Sequence, residues 1–242
     1  MTTQPPPHPY PVTLEGDLEP NLSRGLWLVK WLLLIPHFIV LFFLWIAAFV
    51  LSVVAFFAIL FTGRYPRSIF DFNLGVLRWN WRVGFYSYYA LGTDRYPPFS
   101  LDPVPDYPAR FDVAYPEQLS RGLVLVKWWL LAIPHYVVVS ILVFGWDSGS
   151  VGHETRWVAS VGLTGVLLLV AAVVLLFTAR YPRGIFDLVM GCNRWAARVA
   201  AYALLMRDEY PPFRLDQGGR EDGLSRPRPE DPAAGRSGDW PS

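Results

Sequence analysis

The chain has 242 residues, of which 53% are hydrophobic and 16% aromatic, and its formal net charge is +1. A near balance of 21 basic and 20 acidic residues argues against nucleic acid as a partner. A single cysteine, Cys192, excludes an internal disulfide framework.

Met1–Pro9 is Pro-rich and has no basic n-region, so no cleavable signal peptide is expected there. Val12-Thr13-Leu14-Glu15 alternates apolar and polar residues, as a half-buried strand does. LSRGLWLVKW follows at Leu22–Trp31 and opens an almost unbroken apolar run, Leu26–Phe61. As one helix that run would extend ~54 Å, against a ~30 Å hydrocarbon core. Two helices of about 17 residues with a turn near Leu44–Ala47 fit better; the rival is an in-plane helix before Pro36 and one span after it. RYPRSIFDF at Arg64–Phe72 closes the run. In Ile69–Leu91, Asp71, Gly75, Arg78 and Arg82 recur at helical spacing, which predicts an amphipathic helix on the membrane surface or against the hairpin. RYPPFSLD at Arg95–Asp102 ends the unit, and its prolines favour extended backbone.

The chain then repeats itself. LSRGLVLVKW stands at Leu119–Trp128, RYPRGIFDL at Arg180–Leu188 and EYPPFRLD at Glu209–Asp216. The amphipathic segment returns with Asp187, Gly191, Arg194 and Arg198. About 18 extra residues enter the second copy within Gly145–Trp157, and they separate two apolar segments, Leu123–Phe144 and Val158–Phe177. By analogy each copy reads as a membrane hairpin. Arg24, Lys30, Arg64, Arg67 and their repeats then share one side, the cytoplasmic one by the charge rule, with both termini there. Trp27, Trp31, Trp128 and Trp129 fall near the inner headgroup belt. Phe99–Asp102, Phe213–Asp216 and Ala109–Val113 complete a small cytoplasmic β element. The expected divisions are a disordered 1–9, membrane repeats over 10–106 and 107–216, and a disordered tail over 217–242.

These motifs, occurring in order and twice, resemble a bacterial membrane family known as domain of unknown function 4389, common in actinobacteria. The matching residues are Leu22–Trp31, Ile35-Pro36-His37, Phe57–Arg67, Gly75–Arg82 and Thr93–Phe99, with their second-copy equivalents. The resemblance implies a membrane location and carries over no reaction, cofactor or catalytic residue. The fold class expected is therefore an α-helical integral membrane protein: two tandem helical hairpins, each followed by an interfacial helix, with a small β element.

His37 and His135 each follow a proline inside an apolar run and are candidates for an intramembrane polar site. The plainer reading has each imidazole bonding a carbonyl freed by that proline. Arg78, Arg82, Arg194 and Arg198 are candidates for anionic lipid headgroups, or for ion pairs with Asp71, Asp187, Asp94 or Asp208. Arg64-Tyr65-Pro66-Arg67 reads as a helix stop and anchor. No nucleophile elbow, P-loop, H-E-x-x-H or CxxC motif occurs, and no metal or cofactor is expected. The leading expectation is a non-enzymatic inner-membrane anchor or scaffold for a membrane or cytoplasmic protein partner or anionic lipid. The alternatives are a small transporter or channel built on the paired histidines and, third, a lipid-modifying enzyme.

Overall fold

The computed structural model describes residues 10–144, 162–213, 215 and 216. The expectations for 1–9, for 217–242 and for the insert at Gly145–Trp157 lie outside the described residues.

Strand β1 spans Val12–Gly16. A 3-10 turn at Leu26–Leu28 and a one-turn helix α1, Lys30–Leu33, lead into α2, Ile35–Thr62. Helix α3 covers Arg67–Tyr86 and strand β2 covers Ala109–Val113. The second repeat gives α4 (Leu123–Val126), a π-helical turn (Lys127–Leu131), α5 (Ile133–Phe144), α6 (Leu163–Thr178) and α7 (Arg183–Ala203).

The hairpin expected in the first copy does not form. The 28 residues of α2 are one continuous helix, because no Gly or Pro after Pro36 breaks the backbone ladder. Pro36 lies in the first turn, where its missing N–H has no role. Helix α2 ends at Gly63, whose φ of 72° places it in the left-handed region and lets its N–H bond the Ile59 carbonyl at 2.7 Å.

The second copy is not a hairpin either. His135 packs on Trp195, and Val139, one turn on, shares a cleft with Cys192 and Ala196. Thr164 and Gly165 line the same cleft, and α6 then runs toward the start of α7. Helices α5 and α6 therefore follow each other in one direction along α7, as the two halves of α2 do along α3.

The strands explain how the repeats join. Leu14 pairs with Phe111, the residue 97 positions on that occupies the same place in the second repeat. An antiparallel pair of equivalent residues is the signature of a local twofold axis. The axis also exchanges partners. Strand β2 packs on α3 of the other repeat: Arg78 Nε donates to the Phe111 carbonyl at 3.1 Å. Strand β1 packs on α7: Arg194 Nε donates to the Leu14 carbonyl at 2.9 Å. Tyr65 OH donates to the Leu204 carbonyl and Tyr181 OH to the Ala90 carbonyl, a second pair of exchanged bonds. One apolar core consequently runs through both repeats, with Leu74 and Phe85 of α3 among Val189 and Met190 of α7.

Phe99–Asp102 and Phe213–Asp216, expected as strands, are not strands among the described residues. Each is a loop folded back on its own helix pair. Arg82 fixes the first by donating to the Ser100 and Asp102 carbonyls, and Arg194 holds the Asp216 carbonyl in the second.

Among the described residues one helix, α2, is long and apolar enough to cross a membrane, and α6 is a shorter apolar helix. His37, Leu41, Ala48, Ala55 and Ile59 form the narrow seam that α2 buries. Phe42, Phe49, Val53 and Phe57 lie outside it and are exposed. Helix α6 likewise buries Leu168, Ala171, Ala172 and Leu175 and exposes Leu169, Val173 and Phe177.

Candidate functional site

Each repeat builds the same polar cluster where its long helix begins. In the first, Lys30 is buried and its ammonium lies 2.9 Å from Asp94 Oδ1. It also donates to the Thr93 carbonyl at 2.7 Å and sits 4.5 Å from the centre of the Tyr86 ring. In the second, Lys127 is 2.8 Å from Asp208 Oδ1, donates to the Arg207 carbonyl at 3.0 Å and stands over Tyr202. The aspartates reach further: Asp94 accepts the Ser23 N–H and Asp208 the Ser120 N–H. Burial pulls both ammonium groups below their ordinary range, and the hydrogen-bonded aspartates oppose that pull. The couple ties three segments together: the Leu-Ser-Arg-Gly turn, the entry to the long helix and the loop after α3 or α7.

That loop then closes over a histidine. His37 is fully buried, stacked on Phe99 at 3.8 Å with ring planes 13° apart, and flanked by Tyr96. Trp79 Nε1–H donates to its Nδ1 at 3.0 Å, so the neutral ring carries its proton on Nε2. His135 repeats the stack on Phe213 at 4.3 Å and 13°, beside Tyr210 and Trp195. The Tyr-Pro-Pro-Phe motif is thus the lid of a histidine box.

This geometry corrects the histidine expectations. His37 lies in the first turn of α2, because the apolar residues before Leu34 belong to separate short turns. Its partner is an indole N–H instead of a carbonyl freed by Pro36. His37 and His135 are each walled in by their own repeat's aromatic rings.

The arginine expectations are also corrected. Arg82, Arg194 and Arg198 are buried, and Arg78 points inward, because the strand ribbon covers that face of α3 and α7. They hold carbonyls and acids of the opposite face: Arg78 pairs with Asp112 at 2.6 Å and Arg198 with Asp216 at 2.7 Å. The aspartates named as their partners are elsewhere. Asp71 pairs with exposed Arg67, while Asp94 and Asp208 belong to the two lysines. Asp187 lines a groove with Asp17, Glu19 and Arg183. Neither Asp71 nor Asp187 lies in the first turn of its helix.

The Lys–Asp couples were missed from sequence, although both members recur at equivalent places in the repeats. A pair 64 residues apart in one copy and 81 in the other is visible only once the loop folds back. Buried Asn73 was missed too: it donates to Tyr65 OH at 2.9 Å and to Ser52 Oγ at 3.1 Å, fastening α3 to α2. Among the described residues, no three His, Cys, Asp or Glu side chains gather as a metal-holding group. In each cluster the lysine, its aspartate and the loop carbonyls bind one another.

A family model described as "Domain of unknown function (DUF4389)" matches residues 24–100 and 156–214, two segments consistent with two tandem copies. No curated protein and no solved structure matches the chain.

Proposed function

We propose that this chain, which belongs to the DUF4389 family, is a non-catalytic membrane protein: an anchor that sits in the bilayer through α2 and the outward faces of α5 and α6, and offers its polar side to a lipid or protein partner. One observation carries the reading. Helix α2 has a mean hydropathy of 2.9 over its most apolar window, and only 17% of that window is buried in the fold. A soluble protein rarely leaves so large an apolar face uncovered, whereas hydrocarbon solvates it at no cost. At 1.5 Å per residue the helix reaches ~42 Å, so it tilts in a ~30 Å core or leaves a turn in each interface. Arg64 and Arg67 directly after α2 favour a cytoplasmic C-terminal end for it. A path through His37 and His135 is less well supported, since both rings are sealed by aromatic stacks and share no contact with each other among the described residues.

The test uses cysteine accessibility. Val54 is exposed on the outer face of α2, and Cys192, the single cysteine of the chain, is buried. A Val54→Cys, Cys192→Ser chain in intact membranes should resist a membrane-impermeant maleimide, react after solubilisation in detergent, and stay in the pellet at alkaline pH. Labelling in intact membranes, or release by alkaline carbonate, would refute the reading.

A further inference from the structure

We infer that the two repeats together form a headgroup site for an anionic phospholipid where α2 ends, in a cleft of about 360 Å³ lined by Thr62, Gly63, Arg64, Gln118, Leu119 and Arg121. The inference rests on the membrane reading of α2.

The site follows from the helix cap. The left-handed turn at Gly63 leaves its carbonyl pointing outward, and that carbonyl accepts the Leu119 N–H at 2.9 Å. The bond stitches the Leu-Ser-Arg-Gly turn of the second repeat onto the end of the first repeat's long helix. It brings Arg121 beside the cap: a Cβ built on Gly63 would lie 3.4 Å from Arg121 Nε. Arg64 is the next residue in the chain. Both guanidinium groups are exposed, and neither makes an ion pair among the described residues. Two full positive charges outweigh the roughly half negative charge of a helix C-terminus, so the cleft favours an anion. Paired guanidinium groups suit a phosphate oxygen pair.

The surroundings select a lipid over a free phosphate. Phe61 and Phe57, directly before the cleft on α2, are 72% and 51% exposed and continue the apolar outer face. A ligand with a phosphate at Arg64 and Arg121 and acyl chains along those rings matches both surfaces. The twin cleft in the other repeat serves as an internal contrast. It holds Arg180 and Arg183, but Asp17, Glu19 and Asp187 line it as well, so its acids outnumber its bases.

The experiment is native mass spectrometry of the full chain in mixed micelles of phosphatidylglycerol and phosphatidylcholine with matched chains. The wild-type chain should retain phosphatidylglycerol preferentially. Arg64→Gln with Arg121→Gln should weaken that retention about 25-fold, and each single change about 5-fold, as expected for loss of juxtamembrane cations. Arg180→Gln with Arg183→Gln should leave it unchanged. Both arginines are exposed, so thermal midpoint and helicity should hold; if the double variant fails to fold, the single changes decide. Equal retention of the two lipids by the wild type, or equal loss in the Arg180/Arg183 variant, overturns the site. Displacement of the lipid by excess soluble glycerophosphate overturns the lipid assignment in favour of a free-phosphate site. Failure of the membrane reading would show separately, as release by alkaline carbonate.

Discussion

Removing Asp94 would strand a buried cation. Lys30 has a side chain 2% exposed, and its ammonium has three neighbours: Asp94 at 2.9 Å, the Thr93 carbonyl at 2.7 Å and the Tyr86 ring. Asp94→Ala deletes the one full counter-charge among these and also the acceptor for the Ser23 N–H. Breaking a fully buried pair costs about 3–5 kcal/mol, and an unmet backbone donor about 1 kcal/mol more. Asp94 is 21% exposed, so water recovers part of this, leaving a loss of about 2–4 kcal/mol. For a chain of this length that is a fall of about 5–15 °C in thermal midpoint. Lys30→Met with Asp94→Ala should cost much less than the sum of the single changes, since it removes both charges.

The pH dependence gives an independent sign. Burial lowers the folded pKa of Lys30, so between that value and the unfolded 10.5 the unfolded chain binds more protons and stability rises with pH. Without Asp94 the folded pKa drops further, so the penalty seen at neutral pH should shrink as pH rises toward that range. Thermal unfolding in detergent, followed by circular dichroism across pH 7–10, checks all of this. A loss under about 1 kcal/mol, additive single changes, or a penalty that grows with pH would refute the clamp. Lys127 and Asp208 form the same couple and should behave alike.

Other outcomes follow from the same geometry. A Cβ on Gly75 would lie 2.8 Å from Leu101 Cβ, whereas at the equivalent Gly191 the nearest atom is 3.4 Å away. Gly75→Ala should therefore cost about 1–3 kcal/mol by displacing the Phe99–Asp102 loop, and Gly191→Ala should be close to neutral in the same melt. Ala179 occupies the left-handed cap of α6 at φ 57°, where Gly63 caps α2, so Ala179→Gly should raise stability by about 0.5–1 kcal/mol. His37→Asn keeps an acceptor for the Trp79 N–H but loses the stack on Phe99; it should lower stability by about 1–2 kcal/mol and leave proton permeability of reconstituted liposomes unchanged, and a leak present only in the wild type would contradict the clamp. Burial pushes the Tyr65 phenol up to about 12, so its contribution is complete below pH 10 and is lost as pH rises from 10 through about 12; the difference in tyrosinate absorbance between the wild type and Tyr65→Phe should appear together with unfolding, not before it.

Much of the local structure was legible because it depends on local rules. The period of Gly75, Arg78 and Arg82 located α3, and the alternation of Val12–Glu15 and Phe111–Val113 located the two strands. The repeat itself could be read from three motifs, and the family match falls on it twice. The hairpin was not legible: a polar insert of about 18 residues between two apolar segments is compatible with a reversal or with two helices that run on in one direction, and apolar periodicity does not distinguish these cases.

By itself, then, the sequence determined α3, α7, the two paired strands, the duplication and the apolar character of α2, since each depends on residues close in the chain. The tertiary structure alone decided their partners. Leu14 meets its own duplicate Phe111 across a twofold axis, each strand crosses to the other repeat's helix, and the arginines turn inward to hold it. Lys30 finds Asp94 only when the loop after α3 folds back over His37. The physical reason is common to all of these contacts. A buried charge or an unpaired strand edge needs a partner, and sequence states the need but not which of several distant residues the closed core will bring within reach.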